Sequence, residues 1–215
     1  MGYADRTVAD IATSLPGATS VFRAHRIDYS CGGARPLAEA AAERAVSLEQ
    51  IESELARLAP DAPREAPTET NALIGHILAR YHDTHRRELP ELLRLAARVE
   101  QRHAGHAMVP AGLHAALEEV ATALDEHMAK EEQILFPLMM QGGHPMIASP
   151  IGRMRFEHDE HGERLARLET LAHGLALPED ACPTWRALYA ALRKLIDDVH
   201  EHVHLENNLL FPRFA

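Results

Sequence analysis

The chain has 215 residues, 46% of them hydrophobic, a formal net charge of −10 and two cysteines. That length holds one full domain and a small second one. The acidic balance speaks against nucleic acid or an anionic membrane as partner, and two cysteines build no disulfide framework. No apolar run is long enough to span a bilayer, and the opening MGYADRTVADIATSLPG lacks the basic-then-apolar order of a signal peptide, so a soluble cytoplasmic protein with no membrane partner is expected.

In chain order, residues 1–58 read as a small helical domain. Its loop Asp28-Tyr29-Ser30-Cys31-Gly32-Gly33 lies between helices, and Ser47-Leu48-Glu49-Gln50 has the form of a capping box opening a short helix through Ile51, Leu55 and Leu58. Residues 59–70 (APDAPREAPTET) hold Pro60, Pro63 and Pro67 without periodic apolar positions and read as a linker. Residues 71–215 read as four long helices, roughly 70–104, 111–141, 147–173 and 182–213. Gly142-Gly143 ends the second, Gly174 ends the third, and Pro90 is expected to kink the first. Short connections make consecutive helices antiparallel neighbours. The expected fold is therefore all-α: an up-down-up-down four-helix bundle preceded by the small helical domain.

The bundle sequence repeats itself. Residues 126–137 read EHMAKEEQILFP and residues 201–212 read EHVHLENNLLFP, sharing Glu-His, a Glu four residues after the His, and a closing Phe-Pro. His82-Asp83-Thr84-His85 and His158-Asp159-Glu160-His161 form a second pair. The two offsets are 75 and 76 residues, so one half of the domain looks like a copy of the other. The second helix spaces Leu113, Leu117, Val120, Leu124, His127, Glu131, Ile134 and Leu138 by threes and fours. The fourth does so with Leu188, Leu192, Leu195, Val199, His202, Glu206 and Leu209. That stripe packs inward. A carboxylate buried on it costs several kcal/mol unless neutralised, and two such interruptions in register ask for a shared metal partner.

At ~1.5 Å rise per residue, His82, His127 with Glu131, His158 and His202 with Glu206 fall at one level of an antiparallel bundle. His103 lies 21 residues past His82 and belongs near the bundle end, unless Pro90 reverses the chain. The candidate ligands are thus His82, His127, Glu131, His158, His202 and Glu206, with the two Glu placed to bridge two ions. Four imidazoles and two carboxylates suit iron or manganese, with zinc also admitted. His85 and His161 are read as polar core beside the ligands or as extra ligands. Asp83, Asp159 and Glu157 are read as exposed helix charges, with orientation of ligand imidazoles as the alternative. His76, His106, His114, His144, His173, His200 and His204 are read as surface or structural.

These residues resemble a hemerythrin-like domain, and more closely the di-iron proteins for repair of iron centres, the YtfE/ScdA type of iron–sulfur cluster repair protein. The resemblance covers nearly the whole chain. It rests on Asp28 to Gly33, Arg80-Tyr81-His82-Asp83, His85-Arg86, Leu89-Pro90-Glu91-Leu92, Lys130 to Pro137, Glu157-His158-Asp159-Glu160 and Leu205-Glu206-Asn207-Asn208. It implies an oxo- or hydroxo-bridged centre of two Fe ions and a role in restoring clusters damaged by nitric oxide or oxidants. Damaged or apo iron–sulfur proteins are then the expected partners, nitric oxide or oxygen species the small ligands, and a homodimer a further expectation. Iron donation leads; a nitric oxide or peroxide reductase and a gas or iron sensor are the alternatives.

The family loop commonly carries two adjacent Cys, and here the first position is Ser30. Any thiol role in the loop therefore falls on Cys31, through nitrosylation, a mixed disulfide or iron in transit, with a small buried residue as the other reading. A loop close to a helix N-terminus would lower the Cys31 pKa. Cys182, in Ala181-Cys182-Pro183 at a helix start, reads as structural.

Overall fold

The computed structural model describes residues 2–58 and 66–214. Apart from one β-bridge between Thr7 and Pro36, these residues form helices and loops. They fall into two compact units, residues 2–58 and 66–76 together with 200–214, and residues 77–199.

In the first unit, four short helices, α1 (Val8–Ser14), α2 (Ala18–Ala24), α3 (Leu37–Glu43) and α4 (Leu48–Ala56), enclose a core of Val8, Ile11, Phe22, Leu37, Ile51 and Leu55. The N-terminus of α1 is closed twice. The Thr7 hydroxyl accepts from the Asp10 N–H, and the carbonyls of Arg35 and Gly33 accept from Val8 and Ala9. Half of the expected capping box forms before α4: Ser47 Oγ accepts from the Gln50 N–H, but the Gln50 side chain turns to Glu54. Most of the proline-rich linker, 59–65 with Pro60 and Pro63, lies outside the described residues. At its end, Glu69 accepts from the Ala72 N–H and so caps α5 (Thr70–Ile77).

The bundle helices are α6 (Asp83–Arg102), α7 (Leu113–Lys130), α8 (Phe136–Met140), α9 (Ala148–Leu171) and α10 (Pro183–His204). The four long ones make the antiparallel bundle, and α8 prolongs α7. Helix α6 runs unbroken through Pro90, so His103, its C-cap, stands at a helix end beside Trp185 and Cys182. The expected stop after α8 is present: Gly142 and Gly143 take φ of 92° and 95°, and their N–H groups bond back to the carbonyls of Met139 and Leu138.

Three π-helical turns interrupt the α geometry, at Leu78–His82, Glu131–Leu135 and Leu205–Leu210. They correct the inward stripe. A regular helix continued from Glu131 would bury Ile134, which is instead 55% exposed, while Leu135 and Met139 are buried. A π turn inserts one extra residue, so every inward position after it moves on by one. The same shift buries Leu210 rather than Leu209.

Candidate metal centre

In the second unit, His82, His127, Glu131 and His158 are all buried. His82 closes the first π turn, His127 lies on the last turn of α7, Glu131 opens the second π turn, and His158 sits mid-helix in α9. The Glu131 carboxylate lies 3.5 Å from His82 Nε2 and 3.3 Å from His127 Nε2. His158 Nε2 approaches His127 Nε2 to 3.1 Å. Donor atoms of His127, Glu131 and His158 all lie within 4.8 Å of one another. In the first unit, the last turn of α10 and the third π turn bring His202 Nε2 to 3.0 Å from Glu206 Oε1, both side chains fully buried.

The outward nitrogens of two of these imidazoles are held by carboxylates. His82 Nδ1 lies 2.7 Å from Glu132 Oε1, and His127 Nδ1 lies 2.9 Å from Glu157 Oε2. A ring that donates from Nδ1 presents a bare Nε2 lone pair inward, the orientation a metal ligand needs. Inward-facing imidazole nitrogens around a buried carboxylate thus fit a metal ion, and oxygen and nitrogen donors without a thiolate suit iron or manganese and admit zinc.

Glu157 corrects the reading of an exposed helix charge. It is buried, and its other oxygen, Oε1, accepts from Lys130 Nζ and Arg153 Nε, both at 2.7 Å. The hydrogen bond to His127, then those from the two cations, hold its carboxyl far below the usual range against the cost of burial. Asp83 and Asp159 are exposed as expected. Glu132 carried no signal of its own in the sequence; its place one residue after a ligand carboxylate, with Arg86 four residues after His82, is legible only with hindsight. Burial opposes ionisation of Glu132, but hydrogen bonds from Arg86 and His82 bring its pKa below the usual value.

His85 and His161 are buried, and the His161 ring stands edge-on to His127 with 4.9 Å between centroids. Neither belongs to a group of three or more mutually close donor atoms among the described residues, which favours the polar-core placement. His204 is buried, and its Nδ1 pairs with the Asn208 amide. The remaining five of the histidines read as surface or structural, apart from His200, are partly or wholly exposed.

The Cys31 loop is ordered by Asp28, whose carboxylate accepts from the N–H groups of Ser30, Cys31 and Gly32. Burial opposes those bonds, yet they leave the Asp28 pKa below its ordinary value. Where this loop meets the N-terminus of α1, it offers carbonyls, those of Gly33 and Arg35, to the free amides. Those amides are occupied without a thiolate. Ser30 Oγ lies 3.0 Å from His200 Nδ1, and the amides of Asn207 and Asn208 donate to the carbonyls of Ser30 and Tyr29. The Tyr29 hydroxyl and Arg23 both reach Glu201 Oε2. Burial, with the Glu201 carboxylate beside it, pushes the Tyr29 phenol well above its usual pKa. Cys31 is partly buried, as is Cys182, whose Sγ lies 3.2 Å from His103 Nε2.

Residues 73–214 match the hemerythrin HHE cation binding domain, and residues 4–59 match the ScdA_N family, described as a domain of unknown function. Curated proteins from Escherichia coli O17:K52:H18 and Escherichia coli O6:K15:H31 are each 45% identical to this chain, covering 99% of it and 98% of their own length. One from Shigella boydii serotype 4 is 44% identical over the same shares. All three bear the name iron–sulfur cluster repair protein YtfE.

Proposed function

The chain belongs to the hemerythrin HHE cation-binding family, in the group whose curated members are named iron–sulfur cluster repair protein YtfE; from that premise we propose that it repairs iron–sulfur clusters damaged by nitrosative or oxidative stress by donating iron. The observation that carries the reading is Glu131, a fully buried carboxylate within 3.5 Å of two imidazoles whose far nitrogens are held by Glu132 and Glu157.

The ligand set we propose is His82, His127, Glu131, His158, His202 and Glu206, which would together hold two irons. Such a pair would supply exchangeable iron and a binding place for nitric oxide or oxygen species. The chain's own part is to aim the ligand nitrogens of His82 and His127. Glu132 and Glu157 do so by accepting from Nδ1, and Lys130 and Arg153 fix Glu157 in turn. In this reading residues 71–215 are the iron-holding domain, and residues 1–58, joined by 59–70, present Cys31 as the thiol that meets iron in transit. The clients are damaged or apo iron–sulfur proteins of the cytoplasm, met by a homodimer.

The test is iron content and optical spectrum of protein purified without added metal, for wild type and Glu206→Ala, followed by incubation with an apo iron–sulfur protein. Near two irons per chain, bridge-type charge-transfer bands weakened by the substitution, and iron recovered in the client are expected. No iron, or iron indifferent to Glu206, removes the bundle as the basis of function; iron that never leaves removes donation.

A further inference from the structure

The two carboxylates behind the ligand imidazoles are built differently. Behind His127, Glu157 is only 5% exposed and divides its work: Oε2 takes the imidazole, and Oε1 takes two cations. Behind His82, Glu132 is 31% exposed, and a single oxygen, Oε1, takes both the imidazole and Arg86 Nη1, each at 2.7 Å. Arg86 is itself 37% exposed and is steadied from outside by Asp125, 68% exposed, at 3.1 Å. Water reaches the Glu132 carboxylate, Arg86 and Asp125 in the second arrangement; in the first it reaches Lys130 and Arg153, 43% and 58% exposed, but hardly the Glu157 carboxylate that they hold. A charged hydrogen bond in a dry site holds its geometry far better than the same bond at a wet surface.

Resting on the dinuclear reading above, we propose that Glu132, pinned by Arg86, is a positioning residue that sets the release of the metal ion held by His82, and that the ion held by His127 and His158 is the retained one. When Glu132 turns to solvent, His82 loses the acceptor that fixes its ring. The imidazole then swings and lets its ion go. His127 has no comparable exit, because Lys130 and Arg153 hold Glu157 in place. The chain thus gives up its two ions in a fixed order.

The experiment follows transfer of iron from the full-length protein to a chromophoric ferrous chelator, under reducing conditions, for wild type, Glu132→Gln, Arg86→Gln and Glu157→Gln. Starting iron content and thermal unfolding are measured on each preparation. Wild type should release iron in two phases of equal amplitude. Glu132→Gln and Arg86→Gln should quicken the fast phase about tenfold, at the low end of what such supporting partners contribute, and leave the slow phase alone. Glu157→Gln should quicken the slow phase. Two irons per chain released in one phase, or a Glu132→Gln effect on the slow phase or on neither, overturns the proposal and leaves the dinuclear reading standing. Fewer than two irons in wild type overturns both. Arg86→Gln keeps every ligand and its carboxylate, so it decides the matter should Glu132→Gln fold poorly.

Discussion

Glu157 accepts from His127, Lys130 and Arg153, and Asp28 accepts from three consecutive backbone N–H groups. Each is an acidic residue whose role comes from what surrounds it. Arg153, four residues before Glu157 on α9, was legible as a helix pair, but Lys130 and His127 come from α7 and meet it only through packing. Asp28 leads to a prediction in pH. Its folded pKa is below the ordinary 3.8, so its carboxylate adds stability that is fully present above that value and is lost as pH falls through the lowered one. Asp28→Asn should therefore cost stability at pH 7, about 1–2 kcal/mol for a partly buried acceptor of several bonds. It should cost progressively less in acid. Urea unfolding of both proteins at pH 7 and at pH 3 checks this, and an equal difference at both values contradicts it.

At the scale of the element, the π turns are the feature that periodicity could not reveal. Apolar and ligand positions before Glu131 follow a 3.6-residue repeat, and so do those after Leu135, but the two stretches are out of phase by one residue. The turn at Leu205–Leu210 does the same to the second copy of the motif, whereas His158, partner of His82 in the repeat, lies in uninterrupted α-helix. The sequence repeat is thus symmetric where the helix types are not. Deleting the exposed residue Gln133 should turn the Glu131–Leu135 turn into ordinary α-helix with Phe136 and Met139 still facing inward. Melting temperature should then change by a few degrees at most, because the core keeps its phase. Iron content should fall severalfold, because Glu131 is re-aimed. Calorimetry with metal analysis tests this; retained iron would mean that the π turn does not set the Glu131 direction.

At the scale of the molecule, residues 200–214 form one compact unit with the amino-terminal helices. Arg23, Tyr29 and Ser30 hold Glu201, His200, Asn207 and Asn208, and two of those bonds end on backbone carbonyls of the cysteine loop. The third π turn, which carries Glu206, lies inside this network. Removing residues 1–58 strips those partners. Amide exchange should then quicken by more than tenfold within 200–214 while α7 and α9 keep their protection. Uniform protection after the deletion would mean that the carboxy-terminal turn needs no support from the amino-terminal helices.

Spacing in the sequence was enough to lay out four long helices and to place the repeated His and Glu on one inward stripe, because both depend on local periodicity and on the cost of burying charge. It also marked the glycines that close α8 and the loop whose first family cysteine is Ser30. Which carboxylate stands behind which imidazole was decided only by tertiary structure. Glu157 on α9 reaches His127 on α7, and Glu132, in the π turn that continues α7, reaches His82 just before α6. The extra residue in each π turn was likewise invisible. Nothing in a one-dimensional pattern distinguishes a helix that slips by one residue from one that continues, until its neighbours show which side chain, Ile134 or Leu135, has a core to enter.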